Sequence, residues 1–317
     1  MDPLVSVVCL CYNHAEFVAQ AIRSVLQQTY PNIQLIVVDD CSTDSSVNVI
    51  QQLVIENPSI YFIALPKNNG NCRAFNMALE RVRGEFIIDL AADDVMLPDR
   101  VARQVSYFQS ADESVGVVFS NADYIDAYGN ILRNHTAHLI SKRLIDHVPL
   151  GWIFPDVLRR YFICSPTMMI KKKVLDKLKG YDETLAYEDF DFWVRASRHF
   201  QFVYQDETLT HVRRNVKSMS SGWYEPGDRQ LHSTYLICKK AVSLCRSAED
   251  KQALIHRIRY EYKQSVFSGN RQEARLFAQL EKELTSHQVQ FYFYRFLSWL
   301  PLPWPWIRKQ YYRWRYA

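Results

Sequence analysis

The sequence predicts an α/β fold: a mostly parallel sheet flanked by helices, followed by a helical C-terminal extension. Three observations predict it. Continuously apolar runs such as LVSVVCLC and QLIVVD alternate with helical stretches over the first 120 residues, and strands without a polar face are those covered on both sides. Each of the first four apolar runs ends in a polar cluster: Tyr12-Asn13, Asp39-Asp40, Asn68-Asn69-Gly70 and Asp93-Asp94. In such sheets ligands bind at the carboxyl ends of the strands. From about Gln230 to roughly Phe296 the pattern is mostly helical.

Taken in order, Leu4–Cys11 reads as a buried strand and Ala15–Gln28 as a helix with Phe17, Ala21, Val25 and Gln28 near one face. Tyr30-Pro31 stops that helix, because the residue before proline avoids helical geometry. Gln34–Asp39 is a second strand, and Ser42 or Thr43 opens a helix through Leu53. Ser59–Leu65 is the third strand, Asn71–Arg81 the third helix and Glu85–Leu90 the fourth strand. The helix over Pro98–Gln109 carries its proline early, where a missing N–H is harmless. Val115–Ser120 is the fifth strand. Beyond it the alternation loosens. Asp123–Arg133 holds a Gly129-Asn130 turn suited to a hairpin, Ile163–Ile170 is a short strand, Glu188–Arg198 a helix, and Gln201–Val212 strand or loop. No internal repeat or low-complexity linker interrupts the chain.

Composition narrows the function. A net charge of +4 is mild for a nucleic-acid binder, which carries a stronger basic cluster. Seven cysteines without a Cys-x-x-Cys argue against a disulfide framework, so a reducing, cytoplasmic compartment is expected. No basic region precedes the first apolar run, so no signal peptide is read. No apolar run reaches the length of about 18 residues that marks a membrane span. The last stretch, FYFYRFLSWLPLPWPWIRKQYYRWRYA, has 12 aromatic residues, five basic ones and no acid in its 27. Pro301, Pro303 and Pro305 break any spanning helix. Tryptophan and tyrosine favour the membrane interface and arginine favours anionic head groups. Residues 291–317 are therefore expected to touch the membrane peripherally; a tail packed on the body or on a partner subunit is the alternative.

Several chemistries lack their motif. The loop after the first strand, CYNHAEF, has no Gly-x-Gly-x-x-Gly, which disfavours the usual dinucleotide fold. The phosphate-cradling glycine loop with its lysine, the Gly-x-Ser-x-Gly elbow and His-Glu-x-x-His are also missing. What remains is acidic: Asp39-Asp40, Asp93-Asp94, and Glu188-Asp189 with Asp191. Carboxylates suit Mg²⁺ or Mn²⁺, and magnesium is commonly held by one or two carboxylates plus substrate phosphates. Two adjacent acids repel each other; a divalent ion lowers that repulsion and gathers a diphosphate. Asp94 is the favoured ligand, with Asp93 free to meet a sugar hydroxyl. A helix cap before Pro98, without metal, is the plainer alternative. Asp40 fits an ordinary turn equally well. Glu188 and Asp189 suit the positive end of a helix dipole, or a general base for a hydroxyl attacking a sugar phosphate.

At this point the chain resembles a known family, the inverting family 2 glycosyltransferases of GT-A fold, of the bacterial surface-polysaccharide type. The segments that carry the likeness are VSVVCLCYNHAEFVAQAIRSVLQQTYPNIQLIVVDDCSTDSS, NNGNCRAFNMAL (with Asn68, Gly70 and Asn76 matching), IDLAADDVMLPDR, SPTMMIKKKVLDKLKGYDETLAYEDFDFWVRA and HVRRNVKSMS. It covers about residues 3–220.

The resemblance implies a division into a catalytic domain over 1–225 and a helical extension over 226–317. Within the first, 1–120 would be the nucleotide-binding half and 121–225 the acceptor-binding half. Tyr12 would border the base and Asp40 hold the uracil edge. Asn68 would belong to the nucleotide-sugar site, with Asp93 near ribose and phosphate. Asp94 would bind Mn²⁺ or Mg²⁺, Asp189 would act as base, and Arg213 and Arg214 would close a basic loop on the diphosphate. A solvated surface loop is the alternative for the two arginines.

Two departures stand out. The family often reads Asp-Ala-Asp-Asp where this chain has Ala91-Ala92-Asp93-Asp94, which is taken as variation. The histidine that often follows the arginines is replaced by Asn215; His211 would substitute as a metal or phosphate contact, or else be a packed side chain. The Gln-x-x-Arg-Trp signature of processive polymerases is not visible. The resemblance therefore implies metal-dependent, inverting addition of a single sugar from a nucleotide sugar, expected to be UDP-linked. The acceptor would be a saccharide or lipid-linked hydroxyl, at the inner face of the cytoplasmic membrane. The alternatives are an inactive relative that only binds nucleotide sugar, a nucleotidyltransferase, and a non-enzymatic membrane adaptor.

Overall fold

The computed structural model describes residues 2–214 and 224–285, together with Trp304, Trp306, Ile307 and Gln310. In chain order its elements are β1 (Val5–Cys11), α1 (Val18–Leu26), β2 (Ile33–Asp39), α2 (Ser46–Glu56), β3 (Tyr61–Ala64), α3 (Asn71–Leu79), β4 (Phe86–Ala91), β5 (Val95–Met96), α4 (Arg100–Ser110), β6 (Val115–Ile125), β7 (Ile131–Asn134), α5 (His135–Ser141), α6 (Phe154–Arg159), β8 (Met169–Lys171), α7 (Lys172–Leu178), α8 (Asp189–Ser197), β9 (Gln201–Arg213), α9 (Arg229–Leu244), α10 (Ala248–Phe267) and α11 (Arg271–Leu284). They fall into two compact units. The first comprises Met1–Ile153, Phe162–Thr184 and Ala196–Ser218, the second Phe154–Tyr161, Leu185–Arg195 and Met219–Ala317.

Among the described residues the nine strands of the first unit form one sheet, ordered β3-β2-β1-β4-β8-β6-β9-β5 with β7 beside β6. The strand β1 is paired along its length by parallel β2 and along nearly all of it by parallel β4. That central place explains its unbroken apolar sequence, since neither face meets water. Parallel pairing extends to β2–β3 and recurs at β6–β9. The expectation of a mostly parallel sheet needs correction, because the remaining pairings, β4–β8, β6–β8, β5–β9 and β6–β7, are antiparallel. The sheet is mixed. Short β8 joins the two parallel blocks by running against both. The strand β7 must be antiparallel because a tight turn leaves no room for the crossover a parallel partner requires.

Local chemistry accounts for the differences in element boundaries. The helix expected from Ser42 or Thr43 starts at Ser46, because Asp39 Oδ1 accepts the Ser42 N–H at 2.8 Å and holds the chain in a polar turn. The strand expected over Ile163–Ile170 is confined to Met169–Lys171. A 3₁₀ turn at Ser165–Thr167, containing Pro166, occupies the preceding residues, and Thr167 Oγ1 donates to the Cys164 carbonyl at 2.7 Å. The 123–133 hairpin forms as expected, with Asp123 opposite Asn134 and Gly129 at φ +91°. Gln201–Arg213 resolves as a strand. The strand β5 and the helices α5, α6 and α7 were not expected.

In the first unit Asn76, on α3, braces the turn that follows α7. Its Nδ2 donates to the Tyr181 carbonyl at 2.8 Å and to Glu183 Oε1 at 3.0 Å, while its Oδ1 accepts the Tyr181 N–H at 2.9 Å. The Tyr181 ring stacks on Phe75 at 4.4 Å and its hydroxyl donates to Asp89 Oδ2 at 3.1 Å. Gly180 makes the brace sterically feasible: it has φ +75°, and a Cβ there would lie 2.4 Å from Asn76 Oδ1.

The second unit is helical, as expected beyond Gln230; residues 286–296 of that expectation lie outside the described residues. Buried Asp191 on α8 accepts Arg195 Nε at 2.6 Å and Lys240 Nζ of α9 at 2.7 Å. Buried Arg257 on α10 donates to the Leu158 carbonyl at 2.8 Å and to Glu261 at 3.1 Å, and its guanidinium covers the Tyr161 ring at 4.1 Å. Burial pushes the Glu261 carboxyl up, against the pull of Arg257. The α10–α11 corner closes with the N–H of Gly269 on the Val266 carbonyl and that of Asn270 on the Ser265 carbonyl, the Schellman pattern that a glycine at positive φ permits.

Two predictions follow from these contacts. Gly180→Ala meets both a left-handed backbone and a filled position, and is expected to lower unfolding stability by about 1–3 kcal/mol; denaturant titration measures it. His135 sits between Tyr124 Oη at 2.8 Å and the Phe162 carbonyl at 2.9 Å. The carbonyl requires a proton on Nε2, so neutral Nδ1 accepts from the tyrosine. Burial lowers its pKa against the opposing hydrogen bond to the Phe162 carbonyl, and the charges of Arg214, His138 and Arg133 act with the burial. A group whose pKa is depressed on folding contributes stability above its unfolded value near 6.5 and withdraws it as pH falls. His135→Gln should therefore flatten the loss of Tm between about pH 7.5 and pH 5.

Candidate functional site

The carboxyl ends of β1 and β2 in the first unit are tied together loop to loop. The N–H of Asn13 donates to Ser42 Oγ at 2.9 Å, that of His14 to Ser46 Oγ at 3.0 Å and that of Ala15 to Asp44 Oδ2 at 3.0 Å. Asn13 Oδ1 accepts the Thr43 N–H at 2.7 Å in return. Asn13 and Cys41 hold φ values of 59° and 64°, a region that residues other than glycine enter only when the surroundings impose it. This network explains why α1 starts at Val18 rather than Ala15. Tyr12 stands exposed at the edge of these loops.

The adjacent acids of β2 have separate tasks. Asp39 turns inward to Ser42. Asp40, also buried, accepts the N–H of Asn69 on Oδ1 and that of Gly70 on Oδ2, both at 2.8 Å. It thereby fixes the turn before α3, in which Asn68 is exposed. Each carboxylate oxygen keeps acceptor capacity beyond one backbone bond.

The Asp93-Asp94 turn follows β4. Asp94 is only 2% exposed, and its Oδ1 accepts the Arg213 N–H at 2.8 Å. Burial pushes this carboxyl well above the usual range and Asp93 adds to the push; the Arg213 N–H, Arg214 and Arg100 oppose it. Asp93 is partly exposed, with Oδ1 3.9 Å from His14 Nδ1. Arg213 is buried and committed to protein contacts. Its Nε donates to the Asp93 carbonyl at 3.0 Å, Nη1 to the carbonyls of Asp126 and Ala127 at 2.7 and 3.0 Å, and Nη2 to Gln20 Oε1 at 2.7 Å. Its guanidinium lies 4.5 Å from the Phe17 ring centroid. Arg214 donates its N–H to the Ile125 carbonyl at 2.8 Å and sets its guanidinium 4.4 Å over the Tyr124 ring. His211 stands on β9, in register with Val95 of β5 and Asp123 of β6.

The first unit thus gathers Asp93, Asp94, Arg213 and Arg214 in one network, and Tyr12, Asp40 and Asn68 around the neighbouring strand ends. Asp189 belongs to the second unit, where it opens α8. Sequence reading missed Arg100. It is fully buried on α4, donates to Gln104 Oε1 at 3.3 Å and to the Met168 carbonyl at 3.1 Å, and has its pKa lowered to about 10 by burial. Its signal was present: Arg100 and Gln104, four apart, stand among Val101, Val105 and Phe108 on the helix face that is buried. No three His, Cys, Asp or Glu side chains converge as a self-sufficient metal site among the described residues. A divalent cation here would take Asp94, with or without Asp93, and complete its shell with phosphate oxygens of a ligand. The buried carboxylate, raised in pKa beside a second acid, fits such a partner.

Residues 6–178 match the family model described as glycosyl transferase family 2. An uncharacterized glycosyltransferase, MJ1057 of Methanocaldococcus jannaschii, is 30% identical over 218 residues, which are 67% of this chain and 71% of that protein. TuaG of Bacillus subtilis, named for teichuronic acid biosynthesis, is 29% identical over 69% of this chain and 82% of its own length. Among solved structures, S. aureus TarS 1–349 in complex with UDP-GlcNAc superposes with a TM-score of 0.71 at 17% identity, covering 93% of this chain and 88% of that one. The mannosyltransferase PcManGT from Pyrobaculum calidifontis, in complex with GDP-Man and Mn²⁺, gives 0.61 at 16%, covering 90% and 77%. At these identities the structural likeness speaks for the fold alone. The family match and the 30% relative together establish that the chain belongs to glycosyl transferase family 2.

Proposed function

We propose that the protein is a metal-dependent inverting glycosyltransferase of GT-A fold. It moves one sugar from a nucleoside diphosphate sugar, UDP-linked by our reading, to a hydroxyl of a saccharide or lipid-linked acceptor in cell-surface polysaccharide synthesis. The observation that carries this reading is the joining of Asp93, Asp94, Arg213 and Arg214 at the strand ends of a family 2 chain. TarS, solved with UDP-GlcNAc, and TuaG, named for teichuronic acid biosynthesis, support the donor and acceptor classes.

In this reading residues 1–120 hold the donor, 121–225 the acceptor, and 226–317 are an extension. Tyr12 borders the base, Asp40 accepts from its edge while holding the Asn69-Gly70 turn, and Asn68 lines the same place. Asp93 meets ribose or phosphate. Asp94, with His211 as a further contact, would hold Mn²⁺ or Mg²⁺, which supplies charge neutralisation to a departing nucleoside diphosphate. Arg214 faces the diphosphate. Arg213, given its protein contacts, serves by holding the Asp93-Asp94 turn in place. Asp189 takes the proton of the attacking hydroxyl, an assignment supported by the sequence resemblance at YEDFDFW. The composition of residues 291–317 supports peripheral contact with the cytoplasmic membrane; among the described residues no helix is long and apolar enough to cross one.

A panel of nucleotide sugars, each tested for protection against thermal unfolding with and without Mn²⁺, identifies the donor. One donor is expected to raise Tm beyond the rest, and Mn²⁺ to add to that rise. Asp94→Asn keeps the acceptor for the Arg213 N–H but should remove the Mn²⁺ increment. Protection by no donor would overturn the reading. Asp189→Asn should keep donor protection and lose transfer about a hundredfold or more; transfer near the wild-type rate assigns the base elsewhere. Pyrophosphate release from a nucleoside triphosphate would favour nucleotidyl transfer instead.

A further inference from the structure

The β6–β7 hairpin and α5, continuous in sequence from Ala127 to Leu144, leave several large apolar side chains exposed alongside exposed cations. Tyr128 at the hairpin tip is 91% exposed, Ile131 61% and Leu132 57%. Ile140 on α5 and Leu144 just after it are also exposed, while Thr136 and Leu139 of the same helix face inward. No aspartate or glutamate occurs between Ala127 and Leu144, whereas Arg133, Lys142 and Arg143 do, and all three are exposed. None of the three forms an ion pair among the described residues. Arg133 is held with its guanidinium 5.1 Å from the Tyr124 ring centroid. The acid just before the stretch, Asp126, is turned into the hairpin, where it accepts the N–H groups of Tyr128 and Asn130 and the Asn130 side chain. The chain thus leaves large apolar side chains in water beside positive charge, in the unit that holds the candidate site.

We propose that this surface is where the catalytic unit docks on an anionic lipid bilayer. An apolar patch in water marks an interaction surface. Aromatic and aliphatic side chains flanked by Lys and Arg, with no acid among them, match an interface of acyl chains beneath anionic head groups. The hairpin also ties the patch to the site. Its turn carbonyls, Asp126 O and Ala127 O, accept from Arg213, which holds the Asp93-Asp94 turn. The docked hairpin therefore brings a lipid-linked acceptor to the donor site. The purpose of this surface rests on the acceptor proposed above; its existence and its test do not.

The test is co-sedimentation of the full chain with phosphatidylcholine vesicles and with vesicles half phosphatidylglycerol, at about 0.1 M salt, where the Debye length is still about 10 Å. The wild type is expected to favour the anionic vesicles. Arg133→Gln/Lys142→Gln/Arg143→Gln and, separately, Ile131→Ser/Leu132→Ser should each weaken that binding at least fivefold. Both variants keep residues 291–317 and should unfold cooperatively with a Tm close to that of the wild type, which shows that they fold. Anionic-vesicle binding by both variants equal to wild type would overturn the proposal, as would an absence of wild-type binding. Because β7 pairs with β6 alone among the described residues, its outer edge offers the other occupant, a second copy. A shift from dimer to monomer in the Ile131→Ser/Leu132→Ser variant, with vesicle binding intact, would assign the surface to self-association and overturn membrane docking. Loss of donor protection in the wild type would refute the transferase reading and leave the vesicle result standing.

Discussion

A carboxylate buried beside another carboxylate is the constraint around which the first unit is organised. Asp94 lies out of water next to Asp93, and each of those facts favours its neutral form. The protein opposes both with the Arg213 backbone N–H, the Arg214 guanidinium and the buried Arg100. The side chain of Arg213 extends the same arrangement outward to Gln20 near the start of α1, to the Asp93 carbonyl, and to the two carbonyls of the hairpin turn. A buried guanidinium needs nearly all of its donors satisfied, so these segments are held to one mutual geometry. Arginine fits this place because its planar fork meets several carbonyls at once; a lysine ammonium would have to choose among them.

The acidic clusters divide their work by the same physics. Along an extended chain successive side chains point to opposite faces, so two neighbouring aspartates rarely share a fate. Asp39 turns into the protein and shapes the loop; Asp40 turns to the backbone of the next strand's exit and leaves acceptor capacity at the rim. In the second unit Asp191 is satisfied by Arg195 and Lys240; the role proposed for Asp189, a first-turn residue of the same helix, rests on the sequence resemblance. The strained residues Asn13 and Cys41 show how firmly the rim loops are set before any ligand arrives.

Much of the first unit was legible in the sequence because its strands are central. VSVVCLC and QLIVVD are apolar on both faces, and only a covered parallel sheet makes that pattern stable in water. The strand β8 was less legible, because three residues after a proline-containing 3₁₀ turn carry no periodicity; β5, with two residues, carries none at all. The expectation that the sheet is mostly parallel failed for a related reason. Strand direction depends on what lies between strands, and short or irregular connections such as the stretch before β8 leave no signature of which way the chain returns.

The candidate site divides in the same manner. Sequence by itself determined which side chains exist at the strand ends, since each apolar run must stop where the backbone leaves the sheet and polar residues take over there; Asp40, Asp93 and Asp94 were found that way. Tertiary structure decided what each of them does. Arg213 and Arg214 are adjacent, identical in chemistry and indistinguishable in a sequence, yet the guanidinium of one is buried against Phe17 and bonded to protein groups, while that of the other lies across Tyr124 and acts on the buried acid through its charge. Arg100 looks like an ordinary surface charge until α4 packs its face inward. Those assignments depend on burial and on partners more than a hundred residues away in some cases, as for Asp94 and Arg213, and a local pattern of residue types contains neither.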